Sequence, residues 1–133
     1  MLDALFHHLF NGFRQVRLGQ LQKSAGHGDI GMAVGAMRAL LTRLNWTTQD
    51  VDLWEINEAF AVVTMAAMHD LQLPHERVNV HGGACALGHP IGASGARIIV
   101  TLLGALRQRG LQRGVASLCI GGGEATAVAI ELA

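Results

Sequence analysis

The sequence predicts an α/β layered domain, and three observations support this prediction. Apolar residues at helical spacing and short β-type runs follow one another in the order helix, strand, helix, helix, strand, strand. Half of the 133 residues are hydrophobic and only 15% are charged, which is typical of a folded chain and not of a disordered one. The 17 glycines cluster in two places instead of being scattered as linkers.

The first half of the chain predicts three helices and one strand. Apolar residues at three- and four-residue steps predict amphipathic helices over residues 1–17 and 32–44, joined by a polar, glycine-containing connection. Residues 51–56 are rich in β-branched and aromatic side chains, so they predict a strand. Residues 58–71 are hydrophobic nearly all round, which predicts a buried helix that Pro74 prevents from continuing.

The second half predicts a helix between strands. The segments are, in order, a short strand, a glycine-rich loop, a long helix and two final strands: residues 78–80, 81–90, 91–109, 115–120 and 126–132. Gly110 is a natural end for the helix, because glycine readily takes the left-handed conformation that closes a helix. Three consecutive glycines, residues 121–123, predict a tight connection between the final strands.

Composition excludes several classes of protein. Ten basic and ten acidic residues balance, so no nucleic-acid or membrane-surface partner is predicted. Two cysteines do not form the dense framework of a small secreted domain, which favours a reducing, cytoplasmic location. The N-terminal segment lacks the positive start of a secretory signal. Arg14 and Arg17 are few for a mitochondrial transit peptide, which stays a minor alternative.

Three side chains that could take part in catalysis lie where predicted strands end or in the glycine-rich loop. Asn57 follows the first strand, His89 lies in the loop, and Cys119 lies near the end of the strand at 115–120. Such positions are the usual location of sites in open α/β sheets. A cysteine and a histidine far apart in sequence can form a nucleophile or acid–base pair in the fold.

Each of these residues also has a structural interpretation. Asn57 suits the N-cap of the following helix, His89 suits a turn before Pro90, and Cys119 suits a small buried hydrophobe. Cys85 is predicted to be such a buried hydrophobe as well. No metal site is predicted, because the candidate histidines lack a tightly spaced ligand pair: His69, His75, His81 and His89.

Three short segments are far more specific together than any one of them alone. They are residues 57–61 (NEAFA), residues 79–97 (NVHGGACALGHPIGASGAR) and residues 119–124 (CIGGGE). In this order and separation they resemble the C-terminal motifs of the thiolases, the family of acetyl-CoA acetyltransferases and 3-ketoacyl-CoA thiolases. The related ketoacyl synthases are disfavoured by Pro90 and by the glycines that follow Cys119.

The resemblance implies roles for four residues. His89 resembles the histidine that activates the nucleophilic cysteine and polarises the thioester oxygen, and Asn57 resembles the residue that positions a water beside it. Cys119 resembles the acid–base cysteine that removes the α-proton of an acyl-CoA. The N–H of Gly121 resembles a donor to the second oxyanion site. Preorganised donors of this kind lower a barrier by ~3 kcal/mol or more each.

The resemblance covers residues 29–133 and leaves residues 1–28 as an unassigned helix and connection. It implies the C-terminal half of the family fold with an incomplete mixed sheet, because the family has five strands there and three are predicted after residue 50. The strands at 51–56 and 115–120 are then expected to expose unpaired backbone. The family's nucleophilic cysteine belongs to an N-terminal half that this sequence does not match, and Cys85 is not that residue.

The implied function is thiolase-type acyl transfer, that is, Claisen condensation or thiolysis of 3-ketoacyl-CoA, and the isolated chain is expected to be inactive. Acyl-CoA and CoA are the expected substrates, and no cofactor is expected. Expected protein partners are further copies of the chain or a missing N-terminal thiolase half. Two alternatives remain, a non-catalytic module that associates with full-length thiolase and a remnant without a stable fold.

Overall fold

The computed structural model describes residues 31–133 and the backbone of two strands that precede them. The elements in chain order are β1 (Phe13–Leu18), β2 (Gln22–Lys23), α1 (Met32–Leu44), β3 (Leu53–Ile56), α2 (Ala61–Leu71), α3 (Ala84–Leu87), α4 (Ser94–Arg109), β4 (Arg113–Ile120) and β5 (Glu124–Leu132). None of the helices in this part of the chain is long and apolar enough to cross a membrane.

The strands form one mixed sheet. Its order is β1-β5-β4-β3, and β2 pairs with β5 beyond the end of β1. β3 runs parallel to β4, with Ile56 opposite Ser117, whereas β5 runs antiparallel to β4, β1 and β2. The α/β class and the mixed sheet predicted from the sequence are therefore confirmed.

Helices cover both faces of the sheet. On one face α1 and α2 pack on Trp54 and Ile56 of β3 and on three small alanines of β5. On the other face α4 packs through Leu102 and Leu106 against Leu53 and its neighbours on β4 and β5. Because side chains alternate along a strand, residues 53, 55 and 57 point to the α4 face.

Local signals explain where several elements end. Helix α1 has the predicted bounds and ends at Asn45, which is left-handed (φ +53°) and donates its N–H to the carbonyls of Leu41 and Thr42. Gly110 ends α4 in the same conformation (φ +65°), as the sequence predicted. In the connection between β4 and β5, Gly122 and Gly123 both have positive φ, which favours glycine over other residues.

The prediction of a helix over residues 1–17 is wrong for its last part, because residues 13–17 belong to β1. β5 offers a free edge there, and backbone pairing along this edge overrides a weak helical spacing. Residues 1–12 lie outside the described residues. The three strands predicted after residue 50 are confirmed, and β1 and β2 add two more on the N-terminal side of the boundary predicted at residue 28.

Four further expectations need correction. β4 is paired on both sides, so it does not expose unpaired backbone as expected. The strand predicted at 78–80 is only a single bridge from Val78 to Trp54. Helix α2 is not buried all round, since Val62 and Met65 lie on an exposed face. The predicted loop at 81–90 contains the short helix α3.

Candidate active site

Parallel pairing of β3 and β4 brings the ends of two motif-bearing segments together. Asn57 follows β3 directly, and its N–H donates to the carbonyl of Ser117 on β4 over 2.9 Å. Cys119 lies two residues further along β4, just before the turn that contains Gly121. The carboxyl ends of neighbouring parallel strands share one edge of a sheet, and this edge is where ligands bind in such folds.

A cavity of about 560 Å³ opens at this edge. Its chemically active lining consists of His89, Cys119 and the glycines at 121 and 122, and its apolar lining includes Phe60, Val63 and Ile91. A Cβ built on Gly121 would meet no atom within 4 Å. Glycine at this position therefore keeps the wall of the cavity open and lets a ligand approach the backbone.

Each ring nitrogen of His89 contacts a polar side chain. Its Nε2 lies 3.4 Å from Nδ2 of Asn57, and its Nδ1 lies 2.6 Å from the Ser94 hydroxyl at the start of α4. The Ser94 hydroxyl also donates to the carbonyl of Pro90 over 3.1 Å. The imidazole is thus oriented by two partners while its edge lines the cavity, an arrangement typical of histidines that move protons.

Asn57 lies beneath the cavity and is only 1% exposed. It is not the N-cap of α2, because that helix begins at Ala61 and Phe60 occupies the cap position. Instead, its side chain bridges His89 and the Arg97 guanidinium, whose Nη2 donates to Asn57 Oδ1 over 3.4 Å. The structural interpretation of Asn57 as a helix cap is therefore wrong.

A buried ion pair supports Asn57 from the same face of the sheet. Nη1 of Arg97 donates to Oε2 of Glu55 over 3.0 Å, and the Glu55 side chain is 2% exposed. Burial raises the pKa of Glu55 to about 7, against the opposing effect of Arg97, and the charge of Glu58 adds to the rise. Strongly perturbed carboxyl groups of this kind cluster at functional sites.

A second carboxylate and an amide brace the neighbouring backbone. The Asn79 side chain forms a two-point clamp on Ile56, accepting from its N–H at 2.8 Å and donating to its carbonyl at 2.9 Å. Asn79 also donates to Glu58 over 3.3 Å. The clamp covers the free edge of β3 immediately before Asn57, so it fixes the backbone that carries that residue.

Cys85 lies apart from this arrangement. It lines a different cavity of about 700 Å³ together with Glu58, whereas Cys119 lines the cavity that contains His89. Cys85 is exposed, so the prediction of a buried hydrophobe is wrong; Glu58 accepts its N–H over 2.9 Å and holds α3 to the protein. A hydrogen bond to Glu58 raises the pKa of the Cys85 thiol, which disfavours the thiolate.

Glu58 itself is the anchor of this second group. Burial alone would raise its pKa, but hydrogen bonds from Cys85 and Asn79 outweigh burial and hold the pKa below its ordinary value. A Cβ on Gly83 would overlap the Glu58 carboxylate, which explains why a glycine precedes α3. Within residues 31–133 no group of three or more His, Cys, Asp or Glu side chains is placed to hold a metal ion.

Sequence reasoning missed four supporting residues: Glu55, Asn79, Ser94 and Arg97. Glu55 had a usable signal, because a carboxylate in the middle of the apolar run LWEI needs a partner once buried. Asn79, Ser94 and Arg97 lie inside the motif segment 79–97, but the motif does not indicate their partners. Arg97, for example, reaches Glu55 across 42 positions of the chain.

Comparison with known proteins agrees with this architecture. A family model described as the C-terminal domain of thiolase matches residues 17–132. Acetyl-CoA acetyltransferase of Cupriavidus necator is 53% identical over 98 residues, which cover 74% of this chain and 25% of that protein. The cytosolic acetyl-CoA acetyltransferase of Mus musculus is 52% identical over 103 residues, covering 75% of this chain and 26% of the mouse protein.

A solved structure is similar as well. The crystal structure of Bacillus anthracis acetyl-CoA acetyltransferase matches with a TM-score of 0.78 and 44% identity, covering 89% of this chain and 30% of that one. The chain therefore spans about a quarter to a third of the length of these proteins.

Proposed function

Because this chain belongs to the thiolase family through its C-terminal domain, we propose that it supplies the histidine, the acid–base cysteine and the oxyanion donors of an acetyl-CoA acyltransferase. The reaction is thiolysis of a 3-ketoacyl-CoA or, in reverse, Claisen condensation of two acyl-CoA molecules. The observation that carries the proposal is the shared cavity lined by His89, Cys119 and Gly121, with Asn57 bonded to the histidine.

The first half-reaction needs a nucleophile beside a base. We assign the base to His89, whose Nε2 takes the proton of an acyl-accepting thiol, so that the thiolate attacks the thioester and CoA leaves. The same imidazole, together with a water held by Asn57, then donates to the oxygen of the tetrahedral intermediate. Two such donors are each worth roughly 3 kcal/mol of barrier.

The acyl-accepting thiol is proposed to belong to a segment outside residues 1–133, on the same or another polypeptide. Cys119 is needed as a base in the second half-reaction. Cys85 lies on the other cavity and its raised pKa disfavours the thiolate. Residues 1–133 alone are therefore expected to show no useful turnover.

The second half-reaction makes a carbanion equivalent. In the proposal, the Cys119 thiolate removes a proton from the carbon next to the thioester carbonyl of a second acyl-CoA. The resulting enolate oxygen accepts from the Gly121 N–H, and the carbanion attacks the acyl-enzyme and releases the thiol. CoA, its thioesters and water are the only small molecules that this chemistry requires, so no metal or organic cofactor is proposed.

The rim of the cavity supports a protein partner. Phe60 and Ile91 are 73% and 85% exposed, and both belong to the cavity lining. Exposed apolar side chains grouped at the rim of one cavity are typical of an interaction surface. We propose that the nucleophile-bearing thiolase half covers this rim, and that the assembly is cytoplasmic, as the name of the mouse relative states for that protein.

A chimeric enzyme tests the proposal. The matching C-terminal part of the Cupriavidus necator relative is replaced by residues 17–132 of this chain, and acetoacetyl-CoA thiolysis is measured. Turnover of about 1 per second or faster is expected. His89→Ala and Cys119→Ala should each lower it by roughly 10²–10⁴-fold, whereas Cys85→Ala, a matched cysteine control outside the cavity, should not.

Two results would refute the proposal. One is a chimera that folds and assembles like the parent enzyme but does not turn over, which would favour a non-catalytic module that merely associates with thiolases. The other is a Cys119→Ala chimera with the full rate, because the base of the second half-reaction would then be a different group.

A further inference from the structure

The Arg97 guanidinium, which can only donate hydrogen bonds, fixes the orientation of the Asn57 side-chain amide. A guanidinium has no acceptor atom, so the Asn57 atom that faces Nη2 of Arg97 must be the oxygen, Oδ1. The amide nitrogen Nδ2 then faces Nε2 of His89 and donates to it. This direction requires an unprotonated Nε2.

The other side of His89 is compatible with the same conclusion. The Ser94 hydroxyl lies 3.1 Å from the carbonyl of Pro90, which can only accept and also accepts the N–H groups of Ala93 and Ser94. With the hydroxyl proton on that carbonyl, the Ser94 oxygen accepts at its short contact of 2.6 Å with His89 Nδ1. The proton of the neutral imidazole then lies on Nδ1, in agreement with the constraint that begins at Arg97.

We propose that Arg97, held by Glu55, is a positioning residue that orients the Asn57 amide and thereby keeps the His89 proton on Nδ1. Nε2 is then unprotonated and takes a proton when its long, 3.4 Å contact with Asn57 gives way. The inference deepens the proposed function, because Nε2 is the nitrogen assigned there as the base. Arginine suits this task because its two Nη atoms reach different partners, Glu55 and Asn57. Lysine presents a single charged nitrogen and cannot reproduce this fork.

Packing explains why the chain is rigid enough to hold a tautomer. Arg97 and Ser94 lie on one helix, α4, and Glu55 and Asn57 lie on one face of β3 and its continuation. Ser94 is 1% exposed, so water competes weakly for its hydroxyl. These four side chains are therefore all attached to the α4–sheet interface.

The tautomer is measured by NMR on the 133-residue chain with ¹⁵N-labelled histidine at about pH 8. Couplings between ring nitrogens and ring protons show which nitrogen carries the proton, and His89→Gln identifies the signals of His89 among those of seven histidines. The parent is expected to show a protonated Nδ1. Arg97→Lys should shift the tautomer ratio roughly tenfold toward Nε2–H, the effect of one lost hydrogen bond.

Asn57→Asp provides the inverse test, since both oxygens of a carboxylate accept. Arg97 keeps its acceptor in this variant, but Nε2 of His89 now faces an oxygen, so Nε2 is expected to gain a proton. Arg109→Lys, the same change at the end of the same helix, is the matched control and should leave His89 unchanged.

A parent protein with its proton on Nε2, or an Arg97→Lys variant with an unchanged ratio, would overturn the inference. If the backbone amide spectrum shows that Arg97→Lys does not fold, Asn57→Asp becomes the deciding variant. An unprotonated Nε2 in Asn57→Asp would then overturn the inference. The measurement requires no turnover. A chimera without thiolase activity would refute the proposed reaction but would not affect the tautomer result. A His89 proton on Nε2 would overturn the tautomer inference but would not refute the proposed reaction.

Discussion

Asn79 is expected to contribute strongly to stability through its clamp on β3. It makes three side-chain hydrogen bonds, two with the backbone of Ile56 and one with Glu58. It also has left-handed backbone geometry, with φ at +48°. Substitution therefore changes two properties, the hydrogen bonds and the backbone preference, and a set of variants is needed to separate them.

Typical hydrogen-bond and backbone free energies give the expected size of each effect. Two bonds to the backbone are worth about 1 kcal/mol each and the bond to a carboxylate about 1.5 kcal/mol or more, so Asn79→Gly should cost roughly 2–4 kcal/mol. Glycine tolerates positive φ, so this cost contains no backbone strain; it combines the lost hydrogen bonds with the greater backbone entropy of glycine in the unfolded chain, which Asn45→Gly measures separately. Asn79→Ala should cost about 1–2 kcal/mol more, because alanine is disfavoured in the left-handed region.

The assay is urea unfolding of the 133-residue chain. Asn45→Gly is the matched control, since Asn45 has a similar φ of +53° but lies exposed at the end of α1. Its substitution should change the free energy of unfolding by only a few tenths of a kcal/mol, because glycine suits a left-handed helix end and the site is exposed. If Asn79→Gly were as mild as Asn45→Gly, the clamp would not stabilise β3 and the reasoning would be refuted.

Three other outcomes are expected. Gly104→Ala should stabilise the protein by roughly 0.4–1 kcal/mol, because its new methyl group meets no atom within 4 Å. Gly114→Ala should destabilise the protein by about 1–3 kcal/mol, because its methyl group would lie 2.7 Å from a leucine of α4. Equal urea midpoints for the two variants would contradict this prediction. The pKa of Glu55 is higher in the folded state, so the free energy of unfolding should fall by roughly 3 kcal/mol as pH rises from about 4.5 to about 7. Glu55→Gln should remove most of that fall in pH-dependent denaturation, and an unchanged slope would contradict it. Glu58→Gln should lower the pKa of the Cys85 thiol and speed its alkylation by iodoacetamide severalfold, which site-resolved mass spectrometry measures; an unchanged rate would exclude the bond as the cause.

Local patterns were sufficient to predict much of the fold. Apolar residues at helical spacing predict helix α1, and glycines that tolerate positive φ predict the β4–β5 connection. The positions of Asn57, His89 and Cys119 at strand ends or in a glycine-rich loop also indicated a site, because sites in open α/β sheets usually lie there. These features depend on neighbours in sequence or on a general rule of sheet topology.

Other features depend on distant contacts and could not be predicted. β1 is a strand because β5 presents an edge to it, more than 100 positions later in the chain. Asn79 begins the motif segment 79–97, but the motif does not indicate that this residue clamps a strand 23 positions earlier. The sequence could show that Glu55 was an anomaly in an apolar strand, but only the packing of α4 identifies Arg97 as the group that resolves it.

Hydrogen–deuterium exchange at the α-carbon of acetyl-CoA tests most directly what the residues of this chain contribute. The chimera is incubated with acetyl-CoA in D₂O, and deuterium in the acetyl methyl group is followed by mass spectrometry. With Cys119 as the base and Gly121 as a donor to the enolate oxygen, deuterium should enter the methyl group, and Cys119→Ala should reduce its rate by roughly 10²-fold or more while Cys85→Ala does not. Exchange at the full rate in the Cys119→Ala chimera would contradict the assignment of the acid–base residue and, with it, the proposed chemistry of the site.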